Sequence, residues 1–177
     1  GQDLVGAYVE HLKVVLQGIT LPSGFTVAID CANGATTPVA PALFADLGIR
    51  THVIGNRPDG RNINLHCGST HPEQLVQMVL ATRSHLGVAF DGDGDRAIFV
   101  DHCGQIINGD AVLLMCARQL QREGRLTGGA IVATVMSNIG LEMALRASDI
   151  GLVRCPVGDK YVMEEMLTHQ LALGGEQ

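Results

Sequence analysis

Asp91, Asp93 and Asp95 stand at alternate positions, separated only by Gly92 and Gly94, and Arg96 follows at once. One apolar run, residues 86–90, enters this stretch and another, residues 97–100, leaves it. Two unit charges 4 Å apart repel by about 1 kcal/mol in water and about 4 kcal/mol in a partly screened protein site. Three carboxylates held between two strands therefore favour a bound cation. The glycines have no Cβ, so the backbone can curl and aim the side chains at one centre. Oxygen-only donors suit a hard ion such as Mg²⁺, which usually keeps open positions for water or substrate phosphate.

Two simpler readings compete. A charged loop between strands is most often a solvated turn, but the third Asp and the adjoining Arg exceed what a turn needs. An EF-hand would use Asp91, Asp93 and Asp95 as its first ligands. It also needs Gly at the sixth loop position, where Arg96 stands, and Glu at the twelfth, where His102 stands. The flanks read as strands, not helices.

The elements that must position this loop follow from periodicity. Apolar residues at Leu4, Val5, Tyr8, Val9, Leu12, Val15 and Leu16 have helical spacing, with Asp3 as an N-cap. Residues 25–31 read as a strand, Asn33-Gly34 as a turn, residues 38–48 as a short helix and residues 49–54 as a second strand. Residues 56–69 form a long loop rich in Gly, Asn and Pro. Pro72 opens a helix to about His85, and residues 86–90 form a third strand. Beyond the acidic loop, residues 97–100 pair with 105–107 across a turn at His102-Cys103-Gly104. The pattern then restarts. A helix over 110–122 has Asn108 as its cap, and a strand follows at 130–135. A helix at 138–147, a strand at 151–157, a helix at 159–170 and a strand at 171–173 complete it. Such alternation implies α/β architecture: two successive small three-layer units, with mixed, largely parallel sheets flanked by helices. The division falls near 104–109, giving units of 1–105 and 106–177. The second has too few strands to close its sheet, so the sequence reads as a segment of a longer protein.

Composition narrows the function classes. Apolar residues make up 46% of 177, enough for a packed core, while aromatics are only 3% and Trp is absent, so that core is aliphatic. A net charge of −6 without a basic run argues against nucleic acid or an anionic membrane as partner. Five scattered cysteines without a C-x-x-C pair suggest free thiols, and with no secretory signal or spanning run the expected location is the cytoplasm. Met115, Met136, Met143, Met163 and Met166 read as core filler.

The loop Asp91-Gly-Asp-Gly-Asp-Arg96 resembles the metal-binding loop of the α-D-phosphohexomutases. Five further segments are similar to motifs of that superfamily, in the same order: Pro58-Asp-Gly-Arg-Asn-Ile-Asn64, Cys67-Gly-Ser-Thr-His-Pro72, Thr134-Val-Met-Ser-Asn138, Val157-Gly-Asp-Lys-Tyr-Val162 and Gly174-Gly-Glu-Gln177. The last three resemble the glucosamine-phosphate branch in particular. The resemblance implies four domains, of which this chain would hold a linker helix, the second and most of the third. The first domain, with its phosphorylated serine nucleophile, and the fourth, with its phosphate-binding loop, would lie outside it.

The resemblance also implies roles. Asp91, Asp93 and Asp95 would hold Mg²⁺, and Arg96 would offer a forked donor to phosphate oxygens in the active cleft. Glu176 would accept hydrogen bonds from sugar hydroxyls, and Lys160 would bind substrate. The reaction would interconvert glucosamine 6-phosphate and glucosamine 1-phosphate through a phosphoserine and a bisphosphorylated sugar. Partners would be the phosphorylated hexosamine and the remaining domains of the same enzyme. Lys160 stands where the superfamily more often has Arg, and a Lys lacks the planar fork for bidentate phosphate contact. It reads equally well as a solvated residue at a helix start. His66, Cys67 and His71 could suggest a soft-metal site, but the superfamily pattern favours loop packing. Two alternatives stay open: a phosphomannomutase or phosphoglucomutase branch of the superfamily, and a module that binds metal and phosphosugar without turnover. The chain by itself is expected to be inactive.

Overall fold

The computed structural model describes residues 4–16 and 18–177, so the expected cap at Asp3 lies outside the described residues. The chain divides into two compact units between Ile106 and Ile107.

The first unit opens with helix α1 (Leu4–Val15). Its Lys13 pairs with Glu10 and with Asp46 of α2 (Ala40–Asp46). Five strands form one sheet: β1 (Thr26–Asp30), β2 (Arg50–Ile54), β3 (Leu86–Phe90), β4 (Ala97–Asp101) and β5 (Ile106–Ile107), in the order β2-β1-β3-β4-β5. β1 runs parallel to β2 and β3, while β4 returns antiparallel to β3. Helix α3 (Glu73–Thr82) links β2 to β3.

Every residue of β1 is buried because the strand is covered on both faces. Val27 and Ile29 pack with Ala40 of α2, Ile49 and Val88. Ala28, facing the other way, packs with Leu75 and Val79 of α3 and with Ala89 and Val100.

The second unit repeats the plan with different helices. Strands β6 (Ala130–Thr134), β7 (Gly151–Cys155) and β8 (Gly174–Gly175) form a fully parallel sheet in the order β7-β6-β8. Helix α4 (Gly109–Arg122) is capped by the Asn108 side chain, which accepts from the Ala111 N–H at 3.2 Å. Asn138 caps α5 (Ile139–Arg146) in the same way through the Leu141 N–H. Leu113, Ala117, Leu141 and Leu145 cover one face of β6 at Ile131 and Ala133. Val162, of α6 (Asp159–His169), and Leu171 cover the other face at Val132.

Two expectations are corrected. The final strand is Gly174–Gly175, not residues 171–173. Leu171 instead closes α6, its N–H bonded to the Met166 carbonyl, and buries its side chain in the core. A glycine is required at 174 because a Cβ there would come within 2.7 Å of both Met166 Sδ and Val162 Cγ1. Two glycines disguise the strand, since glycine ordinarily weakens one. The methionines also differ from expectation. Met115, Met136, Met143 and Met163 are exposed, and of these five Met166 alone packs against a core cluster. They fall on the outer faces of their helices, or beyond the end of β6, where burial does not reach.

The thiol of Cys31, at the end of β1, is fully buried, and burial pushes it up to about 11 from an ordinary 9.0. Below pH ~9 the thiol is protonated in both folded and unfolded chains, so its contribution to stability is complete. Between pH ~9 and ~11 the unfolded chain loses this proton first, and stability falls. Urea midpoints should therefore decline more steeply across that window for wild type than for Cys31→Ala, and parallel slopes would contradict the assignment.

Candidate metal centre

The acidic loop joins β3 to β4, and the strand register carries it: Phe90 pairs with Ala97 across the two strands. Asp91 is the buried member, 2% exposed, and receives three contacts from Arg96. The Arg96 N–H donates to Asp91 Oδ1 at 3.1 Å, Nε donates to Oδ2 at 2.9 Å, and Nη2 lies 2.8 Å from Oδ2. The Asp91 N–H returns a bond to the Arg96 carbonyl. Asp93 and Asp95 are exposed. One carboxylate oxygen from each of the three aspartates lies within 4.8 Å of the others.

The electrostatics follow the geometry. Burial by itself would raise the Asp91 carboxyl, but the hydrogen bonds and charge of Arg96 outweigh it and hold the group below the ordinary range. Asp95 moves the other way, pushed up by desolvation and by the charges of Asp91 and Asp93. The loop thus carries mutually repelling acids balanced in part by one guanidinium. The donor set fits a hard divalent cation: all oxygen, close together, with two members facing solvent. Arg96 takes both lone-pair sites of Asp91 Oδ2 but only one of Oδ1, which leaves Oδ1 able to bind an ion.

A cradle holds the loop from below. The Ala35 N–H donates to the Gly92 carbonyl at 2.8 Å, and a Cβ on Gly34 would fall on that carbonyl oxygen. A Cβ on Gly92 would come within 2.7 Å of both Asn64 Nδ2 and Ile63 Cδ1. Gly94 has φ +79°, a left-handed conformation that glycine adopts without strain. The two glycines between the aspartates and the turn at Asn33-Gly34 are therefore one packed structure.

Asp30 anchors this cradle, and sequence reasoning passed over it. It is fully buried at the end of β1. Its Oδ1 accepts the Ala32 N–H at 2.9 Å and its Oδ2 accepts the Gly68 N–H at 2.7 Å. Two loops, one after β1 and one before α3, are thereby tied to one carboxyl group. The available signal was an acidic residue closing an otherwise apolar strand. His66, Cys67 and His71 do not converge as ligands: Cys67 is buried beside Asn33, and the two imidazoles meet edge to face at 5.9 Å.

The second unit holds the other two candidates. Glu176 Oε1 accepts the Gly158 N–H at 2.7 Å, which fixes the carboxylate beside the start of α6. Lys160 lies in the first turn of α6, exposed, 3.8 Å from Glu164 and 5.8 Å from the Tyr161 ring centre. Gly109 leaves room for this terminal loop, because a Cβ there would strike the Glu176 carbonyl. The buried Asp110 accepts the Asn138 N–H at 3.0 Å.

Fold and loop together define an α/β phosphohexomutase segment. Residues 6–104 match the family described as phosphoglucomutase/phosphomannomutase, alpha/beta/alpha domain II, and residues 108–177 match domain III of that family; the chain belongs to it. The phosphoglucosamine mutase of Solibacter usitatus is 54% identical over 176 residues, covering 99% of this chain and 39% of that protein. The phosphoglucosamine mutase of Clostridium botulinum is 46% identical over 175 residues, covering 99% and 38%. A crystal structure of a phosphoglucomutase/phosphomannomutase family protein from Burkholderia thailandensis superposes with a TM-score of 0.82 at 30% identity, over 98% of this chain and 38% of that one. The chain thus spans about two fifths of the length of these curated relatives.

Asp30→Asn should destabilise the first unit. The amide keeps the shape but must turn its NH₂ toward one of the two backbone N–H groups, so that two buried donors face each other. That costs about 1–3 kcal/mol. Urea denaturation checks this, and a midpoint equal to wild type would remove Asp30 from the framework.

Proposed function

We propose that this chain is the metal-holding and sugar-holding middle section of a Mg²⁺-dependent phosphosugar mutase that interconverts glucosamine 6-phosphate and glucosamine 1-phosphate. The observation that carries the reading is the convergence of Asp91, Asp93 and Asp95, in a chain 54% identical to a phosphoglucosamine mutase. Bound there, Mg²⁺ would neutralise charge on a phosphoryl group in transfer.

The chain's own residues have separable tasks. Asp91 is held ionised and oriented by Arg96, so the deepest ligand is preset. Asp93 and Asp95 supply exposed oxygens that can close on an ion. Arg96 keeps Asp91 in place through Nε and Nη2. Its guanidinium is 66% exposed, which leaves donors for the oxygens of an incoming phosphate. Glu176 is held by the Gly158 N–H at one oxygen, and its carboxylate can accept from sugar hydroxyls. Lys160 contributes a mobile positive charge at the same end of the second unit. The reaction needs a phosphoryl donor, here a phosphoserine that this reading assigns to another part of the enzyme: a sugar hydroxyl would take its phosphoryl group, and the freed serine would take one back from the bisphosphorylated sugar. No helix among the described residues is long and apolar enough to cross a membrane.

A chimera tests the proposal. This chain would replace the matching stretch of the Clostridium botulinum phosphoglucosamine mutase. The folded chimera should convert glucosamine 6-phosphate to glucosamine 1-phosphate, while the chain alone should show no turnover. Arg96→Lys in the chimera keeps the charge but loses the fork. Losing a charge-assisted hydrogen bond of about 1.5–3 kcal/mol should lower kcat/KM about 10- to 150-fold. A folded chimera without activity, or a lysine variant with unchanged kinetics, would contradict it.

A further inference from the structure

Among the described residues a second cluster brings potential metal ligands together, and it has a different chemistry. Asp101, His102 and Cys103 each offer one donor atom, and these lie within 4.8 Å of one another at the turn between β4 and β5. We propose that this turn binds one borderline divalent ion of the Zn²⁺ type through Cys103 Sγ, His102 Nε2 and the free oxygen of Asp101, with water in the fourth position.

The donor set selects the ion. Sulfur, imidazole and carboxylate together suit Zn²⁺, whereas Mg²⁺ takes oxygens. The spacing agrees as well. With Zn–S near 2.3 Å and Zn–N near 2.0–2.1 Å, a tetrahedral site separates the two donor atoms by about 3.5 Å. Cys103 Sγ and His102 Nε2 already stand 3.3 Å apart. The acid is preset too. Asp101 Oδ1 accepts the Cys103 N–H at 2.9 Å and the Gln105 N–H at 2.8 Å, which locks the carboxyl group and leaves Oδ2 without a bond among the described residues. The turn is pinned on both sides by the Asp101 N–H to the Gln105 carbonyl and the Gly104 N–H to the Asp101 carbonyl, each 2.9 Å. Gly104 has φ +82° and packs against Leu80 of α3. The ligands therefore project from a fixed hairpin end, and both the imidazole and the thiol face solvent.

Co²⁺ is the probe, because a cobalt–thiolate bond gives a charge-transfer absorption that oxygen ligands do not. The 177-residue chain should take up one equivalent with that band, and Zn²⁺ should abolish it. Cys103→Ser should remove the band and His102→Ala should weaken binding at least tenfold, with circular dichroism unchanged in both. Cys116→Ser, which alters another exposed thiol, and Asp93→Ala, which alters the acidic loop, should keep the band. Absence of the band in wild type, its survival in Cys103→Ser, or its appearance only in a metal-linked dimer would overturn the proposal.

Discussion

The ion pair between Arg96 and Asp91 is the constraint from which the rest of the site follows. Three carboxylates within 4.8 Å of one another would spread apart unless something held one in place. Asp91 is buried, so its charge is tolerable only with a partner. Arg96 is that partner through one backbone and two side-chain contacts. The pair sits where β3 reverses into β4, so strand register, rather than the loop itself, decides where the acids point.

The supports are built outward from that pair. Gly34 and Ala35 hold Gly92, and Asn64 and Ile63 close on it from the other side. Asp30 ties the loops that supply those residues to the end of the central strand. A buried carboxyl group that binds only backbone N–H groups has a positioning role here. The second unit uses the same means on a smaller scale: Asn108 and Asn138 cap its helices, and Gly158 fixes Glu176.

Much of this was legible in the residues. The apolar runs gave seven of the eight strands because each is bounded by turn residues, and Asn108 announced its helix. The acidic loop stood out because alternate aspartates have no structural reason to recur. The misses have physical causes. Gly174–Gly175 hid a strand because Gly174 serves close packing against Met166 and Val162, and Gly175 lies against Leu113, which no local pattern encodes. Met115, Met143 and Met163 misled because they are apolar while their helical phase is outward, and Met136 because it falls in the turn beyond β6. Asp30 was invisible because its partners, Ala32 and Gly68, lie 2 and 38 residues away and contribute only backbone. The sequence drew attention instead to His66, Cys67 and His71, which the fold does not bring together as ligands: Cys67 is buried beside Asn33 and the two imidazoles pack on each other.

We infer that Asp91, Asp93 and Asp95 together form one cation site. Mn²⁺ reports on it directly, because the free ion gives a paramagnetic resonance signal that binding broadens away. Titration of the chain should reveal one site, and Asp93→Ala should weaken it at least tenfold while circular dichroism stays unchanged. Equal Mn²⁺ binding by wild type and Asp93→Ala would contradict the account.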